Sequence, residues 1–194
     1  MMTYDDGYVP KNIEHLLDVY KGHNVKFSCF LLAPCLVQAS SLLERIIDEG
    51  HLIGCHGYDH VDFRGLTDDQ LHSQFQKWMD VFQGIVPNYH VNYFRAPYGS
   101  KDKRVLRIAA EHGLQHVMWN IESGGMDDKT FSYVFDGLDR FHRYYSGSIG
   151  GAIVLSHTMR YYDISQSEAI ITELIGRGYD LVTVDQGIKK EDRW

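Results

Sequence analysis

Short apolar runs alternate with capped amphipathic segments about seven times along the chain, which predicts an α/β fold with parallel strands. A second observation chooses between the two architectures that fit this alternation. Candidate reactive side chains recur at the C-terminal ends of successive runs: Asp5 and Asp6, then His56 and His60, then Arg95, Glu122 and His157. A closed parallel barrel gathers such ends on one rim, whereas an open doubly wound sheet focuses them at one or two crevices. Five strand ends serving one site favour a barrel. The chain has 194 residues, short against the roughly 250 typical of an eightfold barrel.

In chain order, residues 1–4 form the end of a first strand, and Asn12 precedes a helix carrying Ile13, Leu16, Leu17 and Tyr20. Residues 25–32 give a second strand. Ser41 and Glu44 form a capping-box pattern ahead of Ile46 and Ile47, and residues 52–55 a third strand. Thr67 with Gln70 opens a helix bearing Leu71, Phe75, Trp78 and Phe82, followed by a strand at 91–94. Asp102 caps a helix with Val105, Leu106 and Ala109, and residues 115–119 form the fifth strand. An aromatic-rich helix spans about 129–144, with Gly137 as a weak point. Residues 152–155, a helix opened by Ser165 and Glu168 (with Ile171, Leu174 and Ile175), and a strand at 181–184 complete the rhythm.

Composition narrows the function. With 44% hydrophobic residues the chain buries a real core, which excludes intrinsic disorder, and its length suits one domain over residues 1–194. Its longest apolar stretches are too short or too interrupted for a membrane span. A formal charge of −7 argues against nucleic acid as a partner. Cys29, Cys35 and Cys55 cannot all pair and match no zinc knuckle; Cys29 and Cys55, in apolar runs, read as small buried hydrophobes. No signal-peptide pattern precedes Asp5, so the chain is expected to be cytoplasmic or a domain trimmed from a longer protein. No glycine-rich dinucleotide or P-loop motif is present.

Each candidate motif has a bland reading. Asp5-Asp6-Gly7 alone is ordinary turn chemistry. His56-Gly57-Tyr58-Asp59-His60 lacks the glutamate of a zincin peptidase, and the other pair at this spacing, His112 and His116, straddles Gly113 and reads as structural. Arg95-Ala96-Pro97-Tyr98-Gly99 alone is a turn with an arginine, and Leu155-Ser156-His157 a strand end. Together they require five coincidences at five strand ends in order.

In order and spacing, Thr3-Tyr4-Asp5-Asp6-Gly7, His56-Gly57-Tyr58-Asp59-His60, Arg95-Ala96-Pro97-Tyr98 and Leu155-Ser156-His157 resemble four motifs of the polysaccharide deacetylases, carbohydrate esterase family four or the NodB-homology domain. The likeness extends to about Val184 and implies a distorted, incomplete (β/α) barrel of about seven parallel strands. It implies that Asp6, His56 and His60 hold one divalent metal, most often zinc, with cobalt, nickel or manganese as alternatives. By the same resemblance Asp5 is the general base, held by Arg95, and His157 the general acid. The Tyr98 N–H faces the oxyanion, Leu155 lines the acetyl pocket, and Trp119, Glu122 and Met126 face the substrate. The implied partner is an N-acetylated glycan of chitin or peptidoglycan type, and the implied setting secreted or facing a cell wall.

One motif departs from the family pattern. After Trp119-Asn120-Ile121, Glu122 replaces the first of two acids, Gly125 stands in the place of the second, and Met126 replaces an aromatic. In the family the second acid supports the catalytic histidine, and Asp127 or Asp128 is the nearby substitute. Three readings follow: an active N-deacetylase, a catalytically impaired carbohydrate-binding relative, and a barrel hydrolase of a non-sugar amide.

Overall fold

The computed structural model describes residues 1–144 and 151–188. In chain order the elements are β1 (Met2–Asp6), α1 (Pro10–Gly22), β2 (Ser28–Leu31), α2 (Ala33–Gln38), α3 (Ser40–Asp48) and β3 (Leu52–Cys55). There follow α4 (Asp68–Ile85), β4 (Tyr93–Phe94), α5 (Lys103–Glu111), β5 (Gln115–His116) and β6 (Ile121–Glu122). The last are α6 (Thr130–Tyr144), β7 (Val154–His157), α7 (Tyr161–Ser165), α8 (Ser167–Gly176) and α9 (Val184–Gly187).

The seven strands form one parallel sheet in the order β5-β4-β3-β2-β1-β7-β6. Its two edges, β5 and β6, are neighbours in sequence, joined only by residues 117–120. A chain of that length reaches about 18 Å at most, whereas the edges of a flat seven-stranded sheet lie roughly 29 Å apart. The sheet therefore curls into an incomplete barrel.

Alternation along the strands assigns every side chain to the inside or outside of that curl. Tyr4, Cys29, Leu31, Ile53, Cys55 and Phe94 pack outward into the main core beneath the helices. Phe30, Leu52 and Tyr93 point the other way and form a smaller inner cluster with Val117 and Val184. On the outer side the Trp78 indole of α4 donates to the Leu31 carbonyl at 2.6 Å, tying that helix to β2. Gly54 takes an inner position where a Cβ would lie 2.5 Å from the Phe30 ring.

Several expected boundaries differ, each for a physical reason. The first strand lies inside the sheet, Thr3 pairing with Ser28 on one side and Leu155 on the other. Residues 181–184 are no strand: the Thr183/Gln186 capping box, in which Gln186 Oε1 accepts the Thr183 N–H at 3.2 Å, turns the chain into α9. The seventh strand is instead β6, two residues long and too short to carry a periodicity. Asn12 lies inside α1, which starts at Pro10, and its side chain donates to the Thr158 carbonyl at 2.6 Å. Ser41 and Ser165 cap nothing; Ala39 and Gln166 precede those helices without a side-chain cap. The boxes at Thr67 and the cap at Asp102 form as expected. Gly137 sits in α6 because a Cβ there would come 2.6 Å from Ile121 of β6. All three cysteines are buried and free, and among the described residues no helix is long and apolar enough to cross a membrane.

Candidate active site

Strand parity places the reactive groups. Thr3 and Asp5 of β1 project into the curl, and Asp5 stands in register with His157 of β7. Asp6 would by parity point outward, but its backbone is left-handed (φ 78°), as aspartate tolerates better than most residues, and this turns it back to the rim. Gly7 continues the turn at φ 98°, where any Cβ would meet Cys35 and Leu31 at 2.9 Å.

His56 follows β3 directly, and Gly57 (φ 92°) bends the chain so that His60 comes back to it. The candidate ligand atoms of Asp6, His56 and His60 all lie within 4.8 Å of one another, and this is the sole such group among the described residues. Both histidine Nε2 atoms are 3.6 Å from Asp6 Oδ1. That oxygen is buried and lacks a hydrogen-bond partner, a costly state that a cation would relieve. His56 Nδ1 lies 2.8 Å from the Arg95 carbonyl. A carbonyl only accepts, so Nδ1 carries the proton and Nε2 presents its lone pair to the cluster. Burial pushes the His56 imidazole down to about 4, which keeps it neutral. Tyr98, also left-handed at φ 59°, sets its ring edge-on to His60 at 4.5 Å between centroids. The three residues fit a divalent ion in donor chemistry, tautomer and orphaned oxygen alike.

Behind the cluster, Arg95 Nη1 bonds Asp5 Oδ1 at 2.8 Å and Thr3 Oγ1 at 2.8 Å, while Nε donates to the Val117 carbonyl. Its guanidinium stacks 4.4 Å above the Phe30 ring. Burial raises the Asp5 carboxyl to about 6, outweighing the Arg95 charge that opposes it. Arg95 therefore limits the shift without reversing it, and leaves a carboxylate of the basicity a general base at neutral pH requires.

A cavity of about 330 Å³ opens over these groups, lined by Asp5, Asp6, His56, His60, Tyr98, Trp119, Glu122, Leu155 and His157. Of the residues expected to face a substrate, Met126 alone is absent; it is 76% exposed and lies outside the lining. Met159 and Arg160 line the cavity instead. Arg160 is placed by its bond to the Gly124 carbonyl at 2.8 Å and stands 3.6 Å from Glu122. A larger hollow of about 470 Å³ near Lys101 and His116 gathers no comparable set of groups.

His157, expected as the acid, has its ring in the cavity with Nδ1 buried and without a partner. Burial, and then the charge of Arg160, pulls its imidazole down to about 3. Asp127 does not come to its support: that carboxylate takes the Lys129 N–H and the Tyr133 hydroxyl. Asp128 offers its carbonyl to Gln166 and is exposed. The neighbour of His157 is Asp163 of α7, which no sequence motif marked. Its only signal was an acid six positions after the histidine. Burial raises the Asp163 carboxyl to about 6 against the pull of Ser123 and the His157 N–H.

Comparison with known proteins agrees with this geometry. The polysaccharide deacetylase family model matches residues 1–117. The peptidoglycan-N-acetylglucosamine deacetylase PgdA of Listeria monocytogenes is 30% identical over 186 residues, covering 95% of this chain but 38% of that protein. The solved Bc1960 peptidoglycan N-acetylglucosamine deacetylase superposes with TM-score 0.83 at 25% identity, covering 96% of this chain and 86% of that one. In fold the chain is equally similar to a CE4 family pseudoenzyme from Bacillus anthracis, with TM-score 0.82 at 23% identity over 97% of this chain and 64% of that one. Family match, curled sheet and clustered motif residues converge: the chain belongs to the polysaccharide deacetylase family.

Proposed function

We propose that this chain hydrolyses N-acetyl groups from an N-acetylated glycan, of peptidoglycan or chitin type, releasing acetate and a free amine. The observation that carries the proposal is the adjacency of a complete Asp6–His56–His60 ligand set to the buried Asp5–Arg95 pair on one cavity. A divalent ion held by those three ligands, zinc or alternatively cobalt, nickel or manganese, would polarise the amide carbonyl and acidify a water.

The chain's own groups then divide the work. Asp5 accepts the proton of the attacking water, with Arg95 fixing the carboxylate so that Oδ2 faces the ligand set. Leu155 gives an apolar wall for the acetyl methyl group, and the Tyr98 backbone N–H, at its left-handed turn, serves the developing oxyanion. His157, on β7 in register with Asp5 of β1, delivers a proton to the departing nitrogen. Trp119, Glu122 and Arg160 offer a ring face and charges to sugar hydroxyls.

Acetate release from N-acetylglucosamine oligomers and from peptidoglycan fragments, with and without added zinc or cobalt, tests the proposal. Metal-dependent acetate is expected. Metal uptake with no acetate from any glycan would favour the catalytically impaired reading, for which the pseudoenzyme of the same fold is a precedent.

A further inference from the structure

The degenerate motif leaves His157 without the acid expected at position 125, and the space around that position accounts for it. Gly125 is left-handed (φ 62°), and a Cβ built on it would lie 2.4 Å from Asp163 Oδ2 and 2.6 Å from its Cγ. A side chain at 125 and the Asp163 carboxylate therefore compete for one volume. Asp163 has taken it from another element, α7, six residues after the histidine.

The carboxylate is firmly held. It is buried, with Oδ1 accepting a short bond from the Ser123 hydroxyl and Oδ2 accepting the His157 backbone N–H at 2.7 Å. Oδ2 is also 3.9 Å from His157 Nδ1, the ring nitrogen that has no partner. Glu122, an acid of the cavity lining, is turned toward Arg160. A modest rotation of the imidazole closes the gap, as such contacts commonly tighten when substrate is bound.

We propose that Asp163 is the positioning residue of His157, receiving Nδ1–H and so leaving Nε2 as the atom that takes up a proton at the cavity and passes it to the leaving nitrogen. This rests on the proposed deacetylation, in which His157 protonates the leaving nitrogen, and it makes Gly125 part of a relocated support. The logic is that of an acid that orients a catalytic imidazole and selects its tautomer.

The test is Asp163→Asn in the metal-loaded protein, read by steady-state kinetics, metal content and the ¹⁵N signals of His157. The amide still accepts the His157 N–H but cannot hold Nδ1–H as a carboxylate does. We expect kcat to fall about 100-fold with KM within about twofold, metal content unchanged, and the His157 signals shifted from the Nδ1–H tautomer. A kcat within about threefold of wild type, or unchanged His157 signals, overturns the proposal. If Asp163→Asn does not fold, the pair Asp163→Ala and Asp163→Ala/Gly125→Asp decides: recovery of kcat in the double variant supports relocation, and none overturns it. If the wild type releases no acetate from any glycan, the proposed function fails, and the His157 tautomer still decides the role of Asp163.

Discussion

Arg95 and Asp5 form an ion pair with both partners almost wholly out of water, Nη1 2.8 Å from Oδ1. Removing one partner of such a pair strands the other charge, at a cost of about 3–5 kcal/mol. Arg95→Ala is therefore expected to lower the urea midpoint sharply; Asp5→Asn keeps an acceptor for the guanidinium but leaves its charge unpaired, and is expected to lower the midpoint less while remaining folded. The same Asp5→Asn should lose about 10²–10⁴-fold in acetate release while its metal content stays at the wild-type value. An active Asp5→Asn protein would remove that residue from the base role.

Asp6→Asn should abolish metal-linked stabilisation. Free zinc at about a hundred times its dissociation constant adds about 2.7 kcal/mol to a folded protein, some 5–10 °C in Tm for a domain of this size. Differential scanning fluorimetry should show that rise in the wild type and little or none in Asp6→Asn or His60→Ala. An equal rise in all three proteins would place the ion elsewhere.

His51 gives the fold a pH dependence outside the active site. It is buried; Nδ1 accepts the Phe27 N–H at 3.1 Å and Nε2 has no partner. Burial lowers its imidazole from 6.5 to about 4. The unfolded chain thus binds the extra proton between these values, so stability is full above pH 6.5 and declines as pH falls toward 4, by about 3 kcal/mol. His51→Gln, which retains an acceptor for Phe27, should flatten that slope in urea titrations from pH 4.5 to 7.5. An identical slope in both proteins would show that the other buried histidines carry it.

Gly54→Ala should reach the site through packing alone. The added methyl meets the Phe30 ring at 2.5 Å and the Tyr93 carbonyl at 3.1 Å. Overpacking of this kind costs about 1–3 kcal/mol. Because Phe30 lies under Arg95, the displaced ring should lower kcat as well as stability. Full activity at reduced Tm would mean that Phe30 yields without moving the guanidinium.

Most of the site was legible because its residues sit at strand ends and in short turns, where sequence and position are tightly coupled. Asp5, Asp6, His56, His60 and His157 needed only strand parity and turns at Asp6, Gly7 and Gly57 to meet. What escaped depended on contacts distant in sequence. β6 exists because Ile121 and Glu122 pair with Val154 and Leu155, not through any pattern of its own. Residues 181–184 carry strand-like residues, yet a capping box at their end wins. Asp163 acquires meaning only where α7 folds against Gly125, a contact no spacing rule contains.

The interior position of β1, between β2 and β7, has a consequence for the order of assembly. Its neighbour β2 is made within the first 31 residues, but its other neighbour, β7, begins at Val154. Contacts of such separation form late, since the loop between them must close first. A growing chain thus gathers Asp6, His56 and His60 from its first third, well before His157 exists to complete the cavity. The Asp6–His56–His60 cluster is in hand first and His157 last, so on the proposed mechanism hydrolytic competence arrives only with the final third of the polypeptide.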